Sequence, residues 1–370
     1  MKSGLNHYII ILFLFFNPDS QSGAQILSDT SSLNLINNGL DQIYSLKFDE
    51  AQNIFSEIVI PGEEHPVIYL LRGLTVYWQN YPLLPNTGAM NLFEADMRRC
   101  IELCEMKPYS EDYEVEALLS NVCARGMLLV FYADNHMNWN VIPLASGTYK
   151  YIMRSFDFSK ICPDLYYFTG IYNYYRDAYP TWHPVYKPVA ALFPPGDLAT
   201  GLRELNICAQ KSILLRAEAS SILSWIYTNY ENNYETAITY TSLLTDRYPE
   251  NPFFKGLHIK NLLLLREYDE AEKYLELSRD DSINDYYRTQ VKVFRAIIQE
   301  KKYMNQDLAA DLYQIALSEL IPFGNYGNEF SAYCYFGLSR ISDARGDRAG
   351  KKMYHRKAMS LASFKKINFD

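Results

Sequence analysis

"NYETAITYTSLLTDRYPENPF" (233–253) and "EYDEAEKYLELSRDD" (267–281) carry one pattern twice. Laid over each other, Tyr234 meets Tyr268 and Ala237 meets Ala271, both at an interval of 34 residues. Working outward, the same interval joins Gly39 in "NNGLDQIY" to Gly73 in "LLRGLTVYW". Recurrence at one interval marks a repeat architecture and decides the fold before any single element is read.

The residue types have a packing reason. A small side chain at a helix crossing lets two backbones approach, and a large neighbour fills the groove beside it. Leu35 and Gly39 fall on one helix, and Ala51 and Phe55 on the next. Over 213–249, Leu223, Ser224 and Tyr227 take the apolar, small and aromatic positions, Ala237 the small position of the second helix, and Pro249 the terminating proline. "LAADLYQIAL" (308–317) repeats the second-helix pattern through Ala309, Tyr313 and Ala316, and Gly337, Tyr354 and Ala358 give a last pair. These residues resemble tetratricopeptide repeats, whose unit is an antiparallel helix pair of about 34 residues. The sequence departs from that pattern at Thr241, where an aromatic is usual, at Ile259 in a glycine position, and by one extra residue in "NYENNYETA". The resemblance covers residues 30–80 and 210–363. It implies an all-α superhelix (solenoid) of stacked pairs, because no single pair can bury its apolar face alone.

The stretches between these copies also read as helix: 114–135, 141–156, 164–179, and 197–210 with Asp197 as cap. No strand-length alternation with hairpin turns appears. The layout at 164–205 resembles the middle of larger eukaryotic repeat proteins of the same superfamily, and no activity is attached to it. The expected organisation is an export signal at 1–24, helical repeats at 25–160, an irregular helical segment at 161–210, and further repeats at 211–370.

The signal reading rests on Lys2, the apolar run "YIIILFLFF" (8–16) and small residues ending at Ala24. That run is too short for a bilayer span, which takes about 20 residues. The mature chain is expected to begin near Gln25, exported to a periplasmic or extracellular compartment, with no integral membrane span. Its net charge of -8 excludes the basic footprint of a nucleic-acid binder. The basic end, "KKMYHRKAMSLASFKK" (351–366), reads as the solvated face of a last helix. Cys100 and Cys104 share a helical face with Phe93 and Met97, while Cys123, Cys162, Cys208 and Cys334 are scattered, so core thiols are expected rather than bridges or a zinc site.

No phosphate-cradling glycine loop, nucleophile elbow or "HExxH" is present. His136, with Asp134 and Asn135, reads as a helix exit. Asp112, Glu114 and Glu116 are the carboxylates that a glycoside-active enzyme would draw on. The expectation is therefore a non-catalytic scaffold or adaptor, with no cofactor or metal. It would hold a protein or peptide partner on the concave face. The alternatives are an all-α carbohydrate-active enzyme or a sugar-binding envelope protein.

"YPTWHPVYKPVAALFPP" (179–195) exceeds an ordinary helix connection of about 2–8 residues. Its five prolines are expected to interrupt regular helix over 179–196, leaving a turn at "VAAL". Two readings stand. In one, Trp182, Tyr186, Leu192 and Phe193 form a lid over neighbouring helix ends. In the other, Tyr172, Tyr175, Tyr179, Trp182, His183 and Tyr186 are partner-binding anchors.

Overall fold

The computed structural model describes residues 26–27, 29–58, 64–106, 111–277, 284–362 and 369. Residues 1–24, read as the export signal, lie outside them. Every regular element among the described residues is helical, in eight antiparallel pairs of adjacent helices. They are α1 (Thr30–Tyr44) with α2 (Phe48–Ser56), α3 (Pro66–Gln79) with α4 (Gly88–Glu105), and α5 (Glu111–Asp134) with α6 (Asn138–Phe158). In the fourth pair α7 (Tyr166–Trp182) meets α9 (Leu198–Lys211), and the one-turn α8 (Lys187–Ala190) lies in their connection. The rest are α10 (Arg216–Asn229) with α11 (Tyr234–Arg247), α12 (Pro252–Leu264) with α13 (Tyr268–Leu277), α14 (Asp285–Lys301) with α15 (Gln306–Leu320), and α16 (Asn328–Ala344) with α17 (Arg348–Leu361). First helices of successive pairs also touch, as α1–α3–α5 and as α10–α12–α14–α16.

The small residues do the expected packing. Ala51, Ala237 and Ala271 are fully buried. A side chain on Gly39 would run into Phe55, and one on Gly73 into Met97. The repeat is also written in the turns. Leu46, His136, Arg266 and Gly346 all adopt left-handed φ, between 54° and 74°. After each, the next N–H reaches back five residues: Lys47 to the Gln42 carbonyl, Met137 to Tyr132, Glu267 to Leu262, Asp347 to Ser342. This bond satisfies an otherwise orphaned carbonyl at the helix end and sets the angle of the next helix. Asn232 and Met304 hold the left-handed position in two longer turns, the first being the one with the extra residue.

All six cysteines are unpaired, and five are buried. Cys100 and Cys104 share a buried face with Phe93 and Met97. Among the described residues, one helix segment, Tyr113–Asp134 of α5, is long and apolar enough by composition to cross a membrane, but most of it is packed inside the protein. The basic side chains of α17 are largely exposed.

Early pairs also meet late ones directly. Arg247 makes two-pronged contact with the Asp41 carboxylate at 2.8–3.2 Å, and Tyr248 donates to it at 2.6 Å. The Asn251 amide donates to the Tyr44 carbonyl at 2.9 Å. Trp78 packs on Phe253 and Phe254, and Tyr81 on Phe253 and Tyr286. Leu244, Tyr248 and Phe254 thus join the same core as α1 and α3. The cause is apolar area: rings of this size left in an open groove would forfeit about 25 cal/mol per Å² of buried surface.

Candidate functional site

The inner face is built from stripes at helical spacing. On α7, Tyr167, Ile171, Tyr175 and Trp182 share one side, and on α10, Glu218, Ile222, Trp225 and Asn229 do so. Large rings join the two helices: Tyr175 lies 6.2 Å from Trp225 and 5.4 Å from Tyr230, and Trp182 lies 5.9 Å from Tyr230. α3 contributes Tyr77 and Trp78, and Tyr81 follows it. Tyr326 enters from the 3₁₀ turn before α16, its carbonyl accepting from the Tyr286 hydroxyl at 2.7 Å.

One carboxyl group, Glu218, belongs to this lining, and a second, Asp134, also has a raised pKa. Burial pushes Glu218 up to about 7, against the opposing pull of the Tyr44 hydroxyl that donates to it; Asp164 adds to the rise. Asp134, at the end of α5, is exposed, and desolvation by the neighbouring protein raises it to about 6. Tyr77 is raised by burial first, and then by Tyr326, Asp134, Tyr167 and Glu218, so it is close enough to feel both acids. Neither acid forms an ion pair among the described residues. Glu218 Oε2, Tyr175 Oη and Asn229 Oδ1 are buried without a hydrogen-bond partner. The Glu218 and Asn229 oxygens are acceptors and the Tyr175 hydroxyl can also donate, so unmet atoms of both kinds lie beside half-buried rings.

The six aromatic positions expected to bind a partner divide into three places. Tyr175 and Trp182 join the inner face. Tyr172 turns the other way, against Tyr149 and Phe156, and donates to the Pro194 carbonyl at 2.8 Å. Tyr179, His183 and Tyr186 form a ring cluster at the surface, with centroids 4.5 Å and 5.4 Å from Tyr179. The expected break at 179 is corrected to 183. Pro180 stays inside α7, whose last turn is held by the His183 N–H on the Tyr179 carbonyl at 2.8 Å and by Trp182 packing. Of the four lid residues, Trp182 and Phe193 cover neighbours, Phe193 lying 5.0 Å from Tyr149. Leu192 is 81% exposed and Tyr186 47%. Trp182→Ala is therefore expected to cost about 2 kcal/mol in chemical denaturation, below the roughly 3–5 kcal/mol of a fully buried ring because Trp182 is half-buried, and Tyr186→Ala within about 0.5 kcal/mol of zero.

Of the carboxylates named from sequence, Glu116 is buried and structural. It accepts from the backbone of Ile26 and Leu27 and pairs with His65 at 3.0 Å. Glu114 pairs with Arg154 near the surface, and the Asp112 side chain lies outside the described residues. Asp134, read as part of a helix exit, stands exposed at the end of α5, and Glu218, not singled out, is the acid of the inner face. Glu218 did carry a signal, as an acid at the head of the apolar i, i+4, i+7 stripe with Ile222 and Trp225. Among the described residues no three His, Cys, Asp or Glu side chains gather as metal ligands. A scan against protein-family models finds no match for the chain, and a search of curated proteins finds no relative.

Proposed function

We propose that this is an exported, non-catalytic binding protein of the tetratricopeptide-repeat kind, a solenoid of helix pairs that holds a protein or peptide partner on its inner aromatic face. The observation that carries the reading is the α7–α10 lining, where half-buried Tyr175 and Trp225 stand beside polar atoms with no partner. Tyrosine and tryptophan make effective contact anchors, and the recurrent turns supply the stacked scaffold that presents them. Because the chain's own rings narrow this face, it suits an extended peptide segment better than a folded domain. Export is supported by the character of residues 1–24.

Affinity capture from the exported fraction with the mature protein tests the reading. Trp225→Ala should lose the captured partner while Tyr186→Ala keeps it. The reverse pattern moves the binding surface to the outer ring cluster. A second reading, a glycan-active enzyme, is favoured by one observation: Glu218, a carboxyl raised by burial, sits beside Tyr44, whose hydroxyl donates to it. Turnover of an oligosaccharide, abolished by Glu218→Gln, would select it.

A further inference from the structure

We infer that a lipid bilayer surface docks on the edge formed by the start of α6 and the α7–α9 connection, on the Tyr172 side of α7 and apart from the α7–α10 lining. Large apolar side chains stand in water there. Trp139 is 91% exposed and Ile142 68% on α6, and Val185, Val189 and Leu192 are exposed in the connection. These side chains form one edge. Ile142 and Tyr149, seven residues apart, share a side of α6 at a separation of about 10 Å. Phe193, next to Leu192, lies against Tyr149, its carbonyl accepts from Arg176 at 3.1 Å, and the Pro194 carbonyl accepts from Tyr172. The connection is thus pinned to α7 beside α6. Apolar side chains grouped in this way mark an interaction surface, whereas single exposed ones are ordinary.

Charge selects the occupant. The chain carries 43 acidic residues, yet 135–153 and 178–196 contain none, and Lys150 and Lys187 are their only Lys or Arg. Of the bordering acids, Asp177 pairs with Arg176 at 2.7 Å and Asp197 caps α9 through the Thr200 N–H at 2.6 Å, while Asp134 stands at the margin. A protein of net charge -8 thus presents one edge with no carboxylate to repel phosphate headgroups, and acids beyond a Debye length of about 8 Å are screened. Trp139 and Lys187 suit the boundary itself. An indole sits between water and hydrocarbon with its N–H wet, and a lysine stem lies among apolar chains while its ammonium reaches phosphate. Pro184, Pro188, Pro194 and Pro195 stiffen the connection, so inserting Val185, Val189 and Leu192 orders little extra chain. Residues 184–189 and 191–195 are all exposed, which fits a covering surface rather than a groove for an extended peptide.

The test mixes the mature protein with vesicles of phosphatidylcholine and phosphatidylglycerol in equal parts, and with vesicles of phosphatidylcholine alone. The protein should sediment with the mixed vesicles, less so at high salt, and brominated lipid should quench an emission component that Trp139→Ser removes. Trp139→Ser combined with Leu192→Ser should weaken partition by at least about tenfold, while Leu243→Ser, also exposed but on α11, leaves it unchanged. Lys187→Gln should weaken binding about fivefold on the mixed vesicles and leave binding to phosphatidylcholine alone as it was. Urea midpoints of all these variants should match the native protein, because each side chain is exposed. Absence of sedimentation, or sedimentation that the double variant leaves intact, overturns the proposal. A concentration-dependent dimer that Trp139→Ser dissolves, formed in place of vesicle binding, also overturns it and gives the edge to a second copy. Partner capture by the inner face is read separately, through Trp225→Ala.

Discussion

Gly201→Ala is expected to destabilise the protein by roughly 2–3 kcal/mol, although alanine is the better helix former by about 1 kcal/mol. Gly201 on α9 and Gly170 on α7 are where these two helices come closest. A methyl group at 201 would lie 2.7 Å from the Tyr174 nitrogen, 2.8 Å from the Gly170 carbonyl oxygen and 2.9 Å from the Tyr174 Cβ. Two of these are main-chain atoms, which no rotamer change moves aside, so the helices must separate. Separation would shift the aromatic stripe of α7, and with it Tyr175 and Trp182. Gly88 is the control: a methyl there meets nothing within 4 Å, and Gly88→Ala should be neutral or slightly stabilising. Urea midpoints report both, with the slope unchanged if only stability has shifted.

The second large effect depends on pH. Glu218 has a folded pKa of about 7 against an ordinary value of 4.5, so the folded state binds its proton more tightly than the unfolded chain does. The contribution to stability is fully present below pH 4.5 and is lost as pH rises to 7, because ionisation in the folded state costs more than in water. At about 1.4 kcal/mol per pKa unit the loss over this interval is roughly 3–4 kcal/mol. Glu218→Gln removes the titration and still accepts from Tyr44. The variant should gain up to roughly 3–4 kcal/mol on the native protein at pH 8 relative to its difference at pH 4. Equal differences at the two values would show that the carboxyl is not buried as described.

The repeat was legible because its packing is local. The 34-residue interval placed Gly39, Gly73, Ala237 and Ala271 at helix contacts without any knowledge of distant parts. The turns were not legible, though they repeat as closely as the helices. Left-handed positions usually advertise themselves as glycine, but only Gly346 does so, while Leu46, His136 and Arg266 accept the conformation. The Gly170–Gly201 crossing was hidden by the proline segment between its helices, which sets the two glycines 31 residues apart, against 12 for Gly39 and Ala51 on the two helices of the first pair. Within the site, the aromatic wealth of α7 drew attention to Tyr175 and Trp182. Glu218 drew none as an acid of an inner face, because a carboxylate on a helix ordinarily faces water. It becomes interior only when Tyr44 of α1 meets it on α10. No local pattern encodes contacts such as Asp41 with Arg247, 206 residues apart.

That closure is the central claim, and one distance tests it most directly. Lys47 and Glu250 are exposed and flank the contact of Tyr44 with Asn251. Spin labels at cysteines introduced in their place, read by pulsed dipolar spectroscopy, should give a single narrow distribution below about 30 Å, since only a few residues separate each label from the contact. A broad distribution centred well beyond that would show that the first pairs stand apart from the later ones, leaving the inner face an open groove.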